Sequence, residues 1–399
     1  MRNSVAPLRI LYVHNSADIY GASRSLLRLL GALDRAKFSP LVVLPEDGPL
    51  RPLIEARQIE VVIHPGLSVI NRQVFHSWRL IWLFGQFPLS VTYLWRLIRR
   101  CKIDLVHTNT GVILSPALAA RLGGVPHVWH VRDWFQEFRR FWPWYARYIT
   151  GCSRCVLAVS EAIAAQFPRR EKVLVFHNGF SLDEFAVPRD ALALEFRRKW
   201  KLENEFVVGC VGRIKLVRKG QEVLIRAAAL LAQRGRRAKF VIVGSPAPGS
   251  ENHLEQLQQL VRELGLADRV VFTGEIKDTR TVYPALDLFV LPSAQPEPFG
   301  GVVMEAMAMG VPVIATNIGG SCDQVAEGET GFLVPPADPQ ALADKIALLM
   351  DDTKLRSRMS AAGPRRIKEK FSLTQMVNRF EKLYEELASE RCACLTSDR

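Results

Sequence analysis

Cysteine is scarce and unpatterned: seven residues in a chain of 399, with no regular spacing. That excludes a disulfide-built scaffold and fits a reducing cytosol. The Cys152-x-x-Cys155 pair has no second pair to complete a zinc site and no thioredoxin-like surroundings, so two free thiols are the preferred reading. A secretory leader is also missing. MRNSVAPLRILYVHNS passes from a polar lead into a strand-length apolar run, without a long apolar core and small-residue cleavage site, and a cytoplasmic protein is expected. No Gly-x-Gly-x-x-Gly stands between a strand and a helix, which disfavours a nicotinamide dehydrogenase. No Asp-x-Asp triplet offers a nucleotide-bound divalent ion its usual carboxylate pair, so no cofactor or catalytic metal is expected. Zinc-finger spacing, RNP-type motifs and a basic region followed by heptads are lacking too, so nucleic acid is not an expected partner.

What is present is a globular composition, 48% apolar and 23% charged, long enough for two domains with separate cores. The net charge is +13, and most of the excess falls in residues 1–190, with 24 Lys+Arg against 14 Asp+Glu. The first half should attract an anionic surface or partner.

Strand-like and helix-like runs alternate, which predicts βαβ units and parallel sheets, an α/β fold. Strands are expected over 9–13, 40–44, 60–64, 104–108, 127–131, 156–159 and 172–176. A second series covers 206–211, 240–243, 270–273, 288–291 and 311–315. Between the two series lie Val187-Pro188-Arg189-Asp190 and a charged helix over 191–201, which sets the domains at 1–187 and 188–372. An amphipathic helix around 373–391 and a polar tail over 392–399 follow. The nearly uncharged stretch 80–98 approaches bilayer length, but Gly85, Pro88 and Arg96 interrupt it, and a packed crossover helix is favoured. Trp78, Trp82, Trp95, Trp134, Phe138, Phe141, Trp142, Trp144 and Tyr145 are interleaved with Arg139, Arg140 and Arg147. Two readings weigh equally here: peripheral contact with an anionic membrane, and packing in the core and acceptor site.

Residues 287–316 carry the most information. A strand ends at Ser293, a Pro-rich loop carries Glu297, and Phe299-Gly300-Gly301 opens a helix whose free N–H groups suit an anion. That helix is apolar except for Glu305, whose carboxylate needs donors: ribose hydroxyls, or a Lys or Arg from the core. The loop after the first strand of the second domain reads Gly212-Arg213-Ile-Lys-Leu-Val-Arg-Lys219-Gly220 and leads into a helix over 221–233. A cation there opposes the helix dipole, and a bound pyrophosphate would reverse that sign. Arg213 can grip phosphate bidentately while Lys219 acts as a point charge. The first domain has a matching loop, Asp18-Ile-Tyr20-Gly21, with a helix expected from Ser25; Gly21 would let backbone approach a phosphate or sugar.

Together these residues resemble glycosyltransferase family 4, retaining enzymes of the GT-B fold. Glu297-Pro-Phe-Gly-Gly-Val-Val-Met-Glu305 is similar to the family's E-x7-E motif, and Gly212-Arg213 with Lys219-Gly220 to its diphosphate-binding pair. The runs at Asn178-Gly-Phe, Val159-Ser160-Glu161, Gly319-Gly320 and Gly331-Phe-Leu-Val334 also match. The resemblance implies two Rossmann-like domains facing each other across a cleft, with the last helix returning to the first. It implies transfer of a sugar from a nucleotide diphosphate, most naturally a UDP- or GDP-sugar, to a saccharide or lipid-linked acceptor. Glu297 would bind donor-sugar hydroxyls, and Phe299, Gly300 and Gly301 would offer amides. Arg213 and Lys219 would hold the diphosphate, Glu305 the ribose, and Gly21 would close over the donor. Two departures stand out. Tyr20-Gly21 replaces the usual Gly-Gly, and in His127-Val-Trp-His130-Val-Arg132-Asp133 an Arg stands where His is usual, so His130 and Arg132 are assigned to the acceptor side. A sugar-nucleotide epimerase, a phosphorolytic enzyme and a catalytically silent binding protein share the fold and stay open.

Overall fold

The computed structural model describes residues 6–70, 79–138, 140–246 and 249–397. The chain forms two compact units: Met1–Gly179 with Leu373–Arg399, and Phe180–Ser372. Each is built on a parallel sheet. The first has strands β1 (Leu8–Val13), β2 (Phe38–Leu44), β3 (Glu60–Ile63), β4 (Leu105–Thr108), β5 (His127–Val131), β6 (Cys155–Ala158) and β7 (Val173–Val175), in the order β3-β2-β1-β4-β5-β6-β7. The second has β8 (Val207–Val211), β9 (Lys239–Val243), β10 (Val270–Gly274), β11 (Leu288–Leu291), β12 (Val313–Thr316) and β13 (Gly331–Val334), in the order β10-β9-β8-β11-β12-β13. Twelve of these strands match the sequence reading. The thirteenth, β13, opens on Gly331, whose glycine reads as a turn rather than as the start of a strand.

Helices cover both faces of each sheet, so successive strand residues enter different cores. In β1, Ile10 and Tyr12 join one apolar cluster while Leu11 and Val13 join the other. In β8, Val208 and Cys210 face one way and Val207 and Val211 the other. Both sheets reverse strand order beside their first strand, between β1 and β4 and between β8 and β11. Ligands bind outside the carboxyl ends of strands at such a switch point.

The units divide at 179/180 rather than at 187/188. Phe180 and Phe185 are buried in the core of the second unit and draw residues 180–187 with them. The Pro188 stretch instead caps the helix Arg189–Lys199 inside that unit. The terminal helix, Leu373–Ser397, continues through the segment expected to be a polar tail; no Gly or Pro interrupts 392–397. Its Met376, Val377, Phe380, Tyr384 and Leu387, at helical spacing, bury in the first unit's core. The helix after β1 starts at Gly21, a turn earlier than Ser25. The apolar stretch 80–98 lies within the helix Arg79–Arg100, whose Val91, Leu94, Leu97 and Ile98 are buried. Among the described residues no helix is long and apolar enough to cross a membrane.

Candidate functional site

In the second unit, the loop leaving β8 and the loop leaving β11 are tied together by backbone. Arg218 O accepts from Ala294 N at 3.1 Å and from Gln295 N at 3.3 Å. The Arg213 carbonyl is fixed by Gln221 Nε2 at 2.9 Å, and Lys219 N turns back onto Lys215 O at 2.9 Å. Gly220 ends the first loop in the left-handed region, at φ 68°, and a Cβ there would stand 1.9 Å from Pro292 O, so only glycine lets the two loops meet. Gly319 makes a similar close approach beyond the next strand: at φ 64°, its Cβ would sit 2.3 Å from the Glu297 carbonyl oxygen. Gly320 N then donates to that carbonyl at 2.8 Å.

These constraints bring Lys219 Nζ to 2.8 Å from Glu297 Oε1, which also accepts from the Ser293 hydroxyl. Burial pushes the Glu297 carboxyl up. The charge of Lys219, the hydrogen bonds from Lys219 and Ser293, and the charge of Arg218 outweigh that and hold it below the usual carboxylate range. The cation facing a helix start therefore has a protein counter-charge, so a pyrophosphate is not needed to explain Lys219 by itself. Sequence reasoning missed this pairing, 78 residues apart in the chain.

After Glu297, Phe299 packs edge-on against Phe371, with ring centroids 6.1 Å apart. Gly300 precedes the helix Gly301–Ala308, whose start no side chain caps, and Gln324 Nε2 holds the Gly300 carbonyl at 3.0 Å. A Cβ on Gly301 would meet nothing within 4 Å, so this helix start is open on that side. Glu305 is buried, and its Oε2 accepts from the Tyr283 hydroxyl at 2.8 Å and from Thr279 Oγ1 at 3.0 Å. Both donors are neutral hydroxyls from the turns after β10, and nothing local in the sequence marks them.

The first unit gathers a different set at its switch point. Asp18 Oδ1 accepts from Tyr20 N at 3.1 Å and from the Ser23 hydroxyl at 3.3 Å, which shapes the turn before Gly21. His14 Nε2 meets Ser23 Oγ at 2.9 Å, and its Nδ1 lies 3.2 Å from Asn109 Nδ2. Arg132 reaches Asn109, Asn178, Ser25 and His130. The His130 ring lies inside the core, 5.6 Å from the rings of both His107 and Phe380, and touches the cluster through Arg132. Burial, with Arg132 nearby, lowers its pKa and keeps it neutral.

The aromatic-basic segment divides. Trp142 and Tyr145 are buried, Trp142 stacked on Phe135 at 4.8 Å, while Trp144 is 77% exposed with Arg140 and Arg147 on the surface. Trp78 and Arg139 lie outside the described residues, as does the Trp82 side chain. Burial raises the Cys152 and Cys155 thiols, and among the described residues no group of three or more His, Cys, Asp or Glu is placed to hold a metal.

Comparison with known proteins follows this division. The family described as Glycosyltransferase Family 4 matches residues 19–184, and that described as Glycosyl transferases group 1 matches residues 193–366. The chain is 31% identical over 248 residues to the capsular polysaccharide biosynthesis glycosyltransferase CapM of Staphylococcus aureus, covering 60% of this chain and 63% of that one. It is 34% identical over 253 residues to the lipopolysaccharide core biosynthesis mannosyltransferase LpsB of Rhizobium meliloti, covering 60% and 69%. The chain thus spans only some of the length of these relatives. Its fold is similar to that of HepE of Anabaena, solved in complex with UDP, with a TM-score of 0.80 and 26% identity over 95% of this chain and 100% of that one. HepE has also been solved with UDP-glucose.

Proposed function

We propose, because the chain belongs to glycosyltransferase family 4, that it transfers a sugar from a UDP- or GDP-sugar to a saccharide or lipid-linked acceptor in the assembly of a cell-surface polysaccharide or glycolipid. The observation that carries this reading is the second unit's switch point. There Arg213, Lys219, Glu297 and the uncapped helix start at Gly301 are set on two loops that Gly220 locks together. CapM and LpsB are named for polysaccharide and lipopolysaccharide synthesis, and HepE holds UDP, which supports both halves of the proposal.

As the glycosidic C–O bond breaks, negative charge grows on the departing diphosphate. Arg213, Lys219 and the Gly300–Gly301 amides meet that charge, where preorganised donors count most. Lys219 exchanges its Glu297 partner for phosphate oxygen, which frees Glu297 to accept from donor-sugar hydroxyls. Glu305 takes the ribose hydroxyls in place of some of its contact with Thr279 and Tyr283. The two cations take the charge-stabilising role, so transfer proceeds without a divalent metal; retention of anomeric configuration is what the resemblance to the family implies. The acceptor belongs to the first unit, with His130 and Arg132, while Gly21 is assigned to the donor. The exposed Trp144 and the basic surface beside it suit the cytoplasmic face of an anionic membrane, which co-sedimentation with anionic liposomes at low salt checks.

The test is a donor panel of UDP- and GDP-sugars, read by thermal shift and by transfer, with the product anomer assigned by NMR and a chelator arm for metal dependence. Arg213→Ala and Lys219→Ala each lower turnover by ~10²–10³-fold while the chain stays folded. Near-normal turnover in both variants overturns the assignment. Release of free nucleotide without any acceptor product points to an epimerase instead.

A further inference from the structure

Arg132 follows directly on β5, and its side chain is buried, 9% exposed. Its Nε donates to Asn109 Oδ1 at 3.3 Å. Its terminal nitrogens donate to Asn178 Oδ1 at 2.5 Å and Ser25 Oγ at 3.1 Å, and one lies 3.2 Å from His130 Nδ1. Every one of these partners is neutral. Asp133, next in the chain, spends its Oδ2 on Gly111 N at 2.6 Å, and among the described residues no carboxylate forms an ion pair with Arg132. Burial lowers Arg132 to about 9, partly offset by Asp133 and Tyr384, so the guanidinium remains charged at neutral pH. His14, held at about 3 by burial and by Arg132, adds no charge of its own. The cluster therefore carries one positive charge among neutral hydrogen-bonding groups.

A buried cation hydrogen-bonded only to neutral groups is costly, and the charge of Asp133 offsets only part of that cost. The guanidinium charge has to serve something beyond the cluster. Its position indicates what: His14 follows β1, Asn109 follows β4 and Arg132 follows β5, at the carboxyl ends of the strands flanking the switch point. We propose that Arg132 binds an anionic group, a carboxylate or a phosphate, carried by the sugar acceptor, with Asn109, Asn178 and Ser25 fixing the plane of its guanidinium. Asn109, Asn178, Ser25 and His130 engage four of the five guanidinium N–H groups, so the anion meets the remaining N–H and the positive charge, and the basic excess of residues 1–190 draws an anionic acceptor toward this unit. The inference rests on the transferase reading above, in which the first unit takes the acceptor.

The test is calorimetric titration of the full chain, first with UDP alone and then, at saturating UDP, with D-glucuronate, glucose 6-phosphate and D-glucose. Saturating UDP fills the phosphate site of the second unit, so the sugars report on the first. At least one anionic sugar binds ~10-fold or more tightly than glucose, and the tighter of the two identifies carboxylate or phosphate as the group. Arg132→Gln removes that preference and leaves the UDP affinity as it was. Should lost UDP binding show that this variant fails to fold, Arg132→Lys serves: it keeps the charge without the fork and reduces the preference several-fold. Equal binding of all three sugars, no binding of either anion, or a preference that survives both substitutions overturns the proposal. Failure of the native chain to bind UDP counts against the donor reading instead, and the anion preference is then assigned to the first unit only if Arg132→Gln removes it.

Discussion

Each sheet presents a cation at the carboxyl end of its strands, and the two are held in opposite ways. Lys219 lies in a partly open crevice against a carboxylate, on loops that only glycines allow to meet. Arg132 lies deeper, against amides, a hydroxyl and a neutral imidazole, with no carboxylate paired to it. One arrangement is an exchangeable ion pair, able to release its cation to an arriving anion without leaving a bare charge behind. The other is a fixed charge held by neutral groups, with Asp133 stabilising it only through space. The same strand order thus supports two electrostatic solutions, and the difference comes from loop residues rather than from the sheets.

The largest effect that separates the two sites is steric. Gly220→Ala puts a methyl group 1.9 Å from Pro292 O at a positive φ, and neither backbone can yield without separating the loops. The expected cost is about 3 kcal/mol or more, with nucleotide binding lost. Gly21→Ala, in the corresponding loop of the first unit, meets nothing within 4 Å and should leave stability nearly unchanged. Denaturant unfolding of both variants checks this. Similar losses in the two would show that the loops are not built differently.

Acid separates the units next. Burial lowers His14 and His127 to about 3, and lowers His107 and His130 well below their ordinary value with Arg132 adding to the effect. Folded, these rings stay neutral; unfolded, they take up protons near pH 6.5, so the unfolded state binds more protons throughout that window. Stability of the first unit is complete above about pH 6.5 and falls as pH drops toward 3, by at most ~1.4 kcal/mol per pH unit for each histidine. Asp133, raised by burial, offsets some of this. In the second unit the depressed Glu297 contributes above its ordinary value of 4.5, and that contribution is lost only as pH falls below it. Hydrogen exchange at pH 5.5 should therefore loosen amides of β1, β4 and β5 before those of β8 and β11. The reverse order would contradict the contrast between a neutral-imidazole cluster and an ion pair.

Much of the fold is readable in the chain. Buried parallel strands show as short Val-, Ile- and Leu-rich runs, which is why both sheets are legible and why only β13, which opens on a glycine, escapes. Arg213, Lys219, Glu297 and Glu305 stand out because loops after first strands and carboxylates in apolar helices are locally odd. Their partners do not. The Lys219–Glu297 pair and the bonds from Thr279 and Tyr283 to Glu305 join residues 22 to 78 positions apart, and no periodicity records such distances. Arg132 and the Asn178 run draw notice, yet Ser25 and Asn109 look like ordinary polar residues, and nothing in the sequence shows that three strands and a helix bring all four together. The domain boundary slips for a similar reason: Pro188 advertises itself, whereas Phe180 and Phe185 reveal their allegiance only by burial.

The smallest predicted effect tests whether strain belongs to the exchangeable site. Val217, between Arg213 and Lys219, has φ 64° and is 65% exposed. It is the β-branched residue that the described chain holds at positive φ, a conformation costing about 1–3 kcal/mol. Its amide donates to Glu222 Oε1 at 3.0 Å, which helps hold the loop in that shape. Val217→Gly relieves the strain but gives up roughly 0.5–1 kcal/mol to unfolded-chain entropy. The second unit should therefore gain about 1 kcal/mol, a rise of about 2–4 °C in its melting midpoint. UDP should bind about 2–5-fold more weakly, because a loop freed from strain has more conformations to give up when the diphosphate arrives. A lower midpoint would show that Val217 is comfortable where it stands, and that the loop is shaped by its glycines and its ion pair alone.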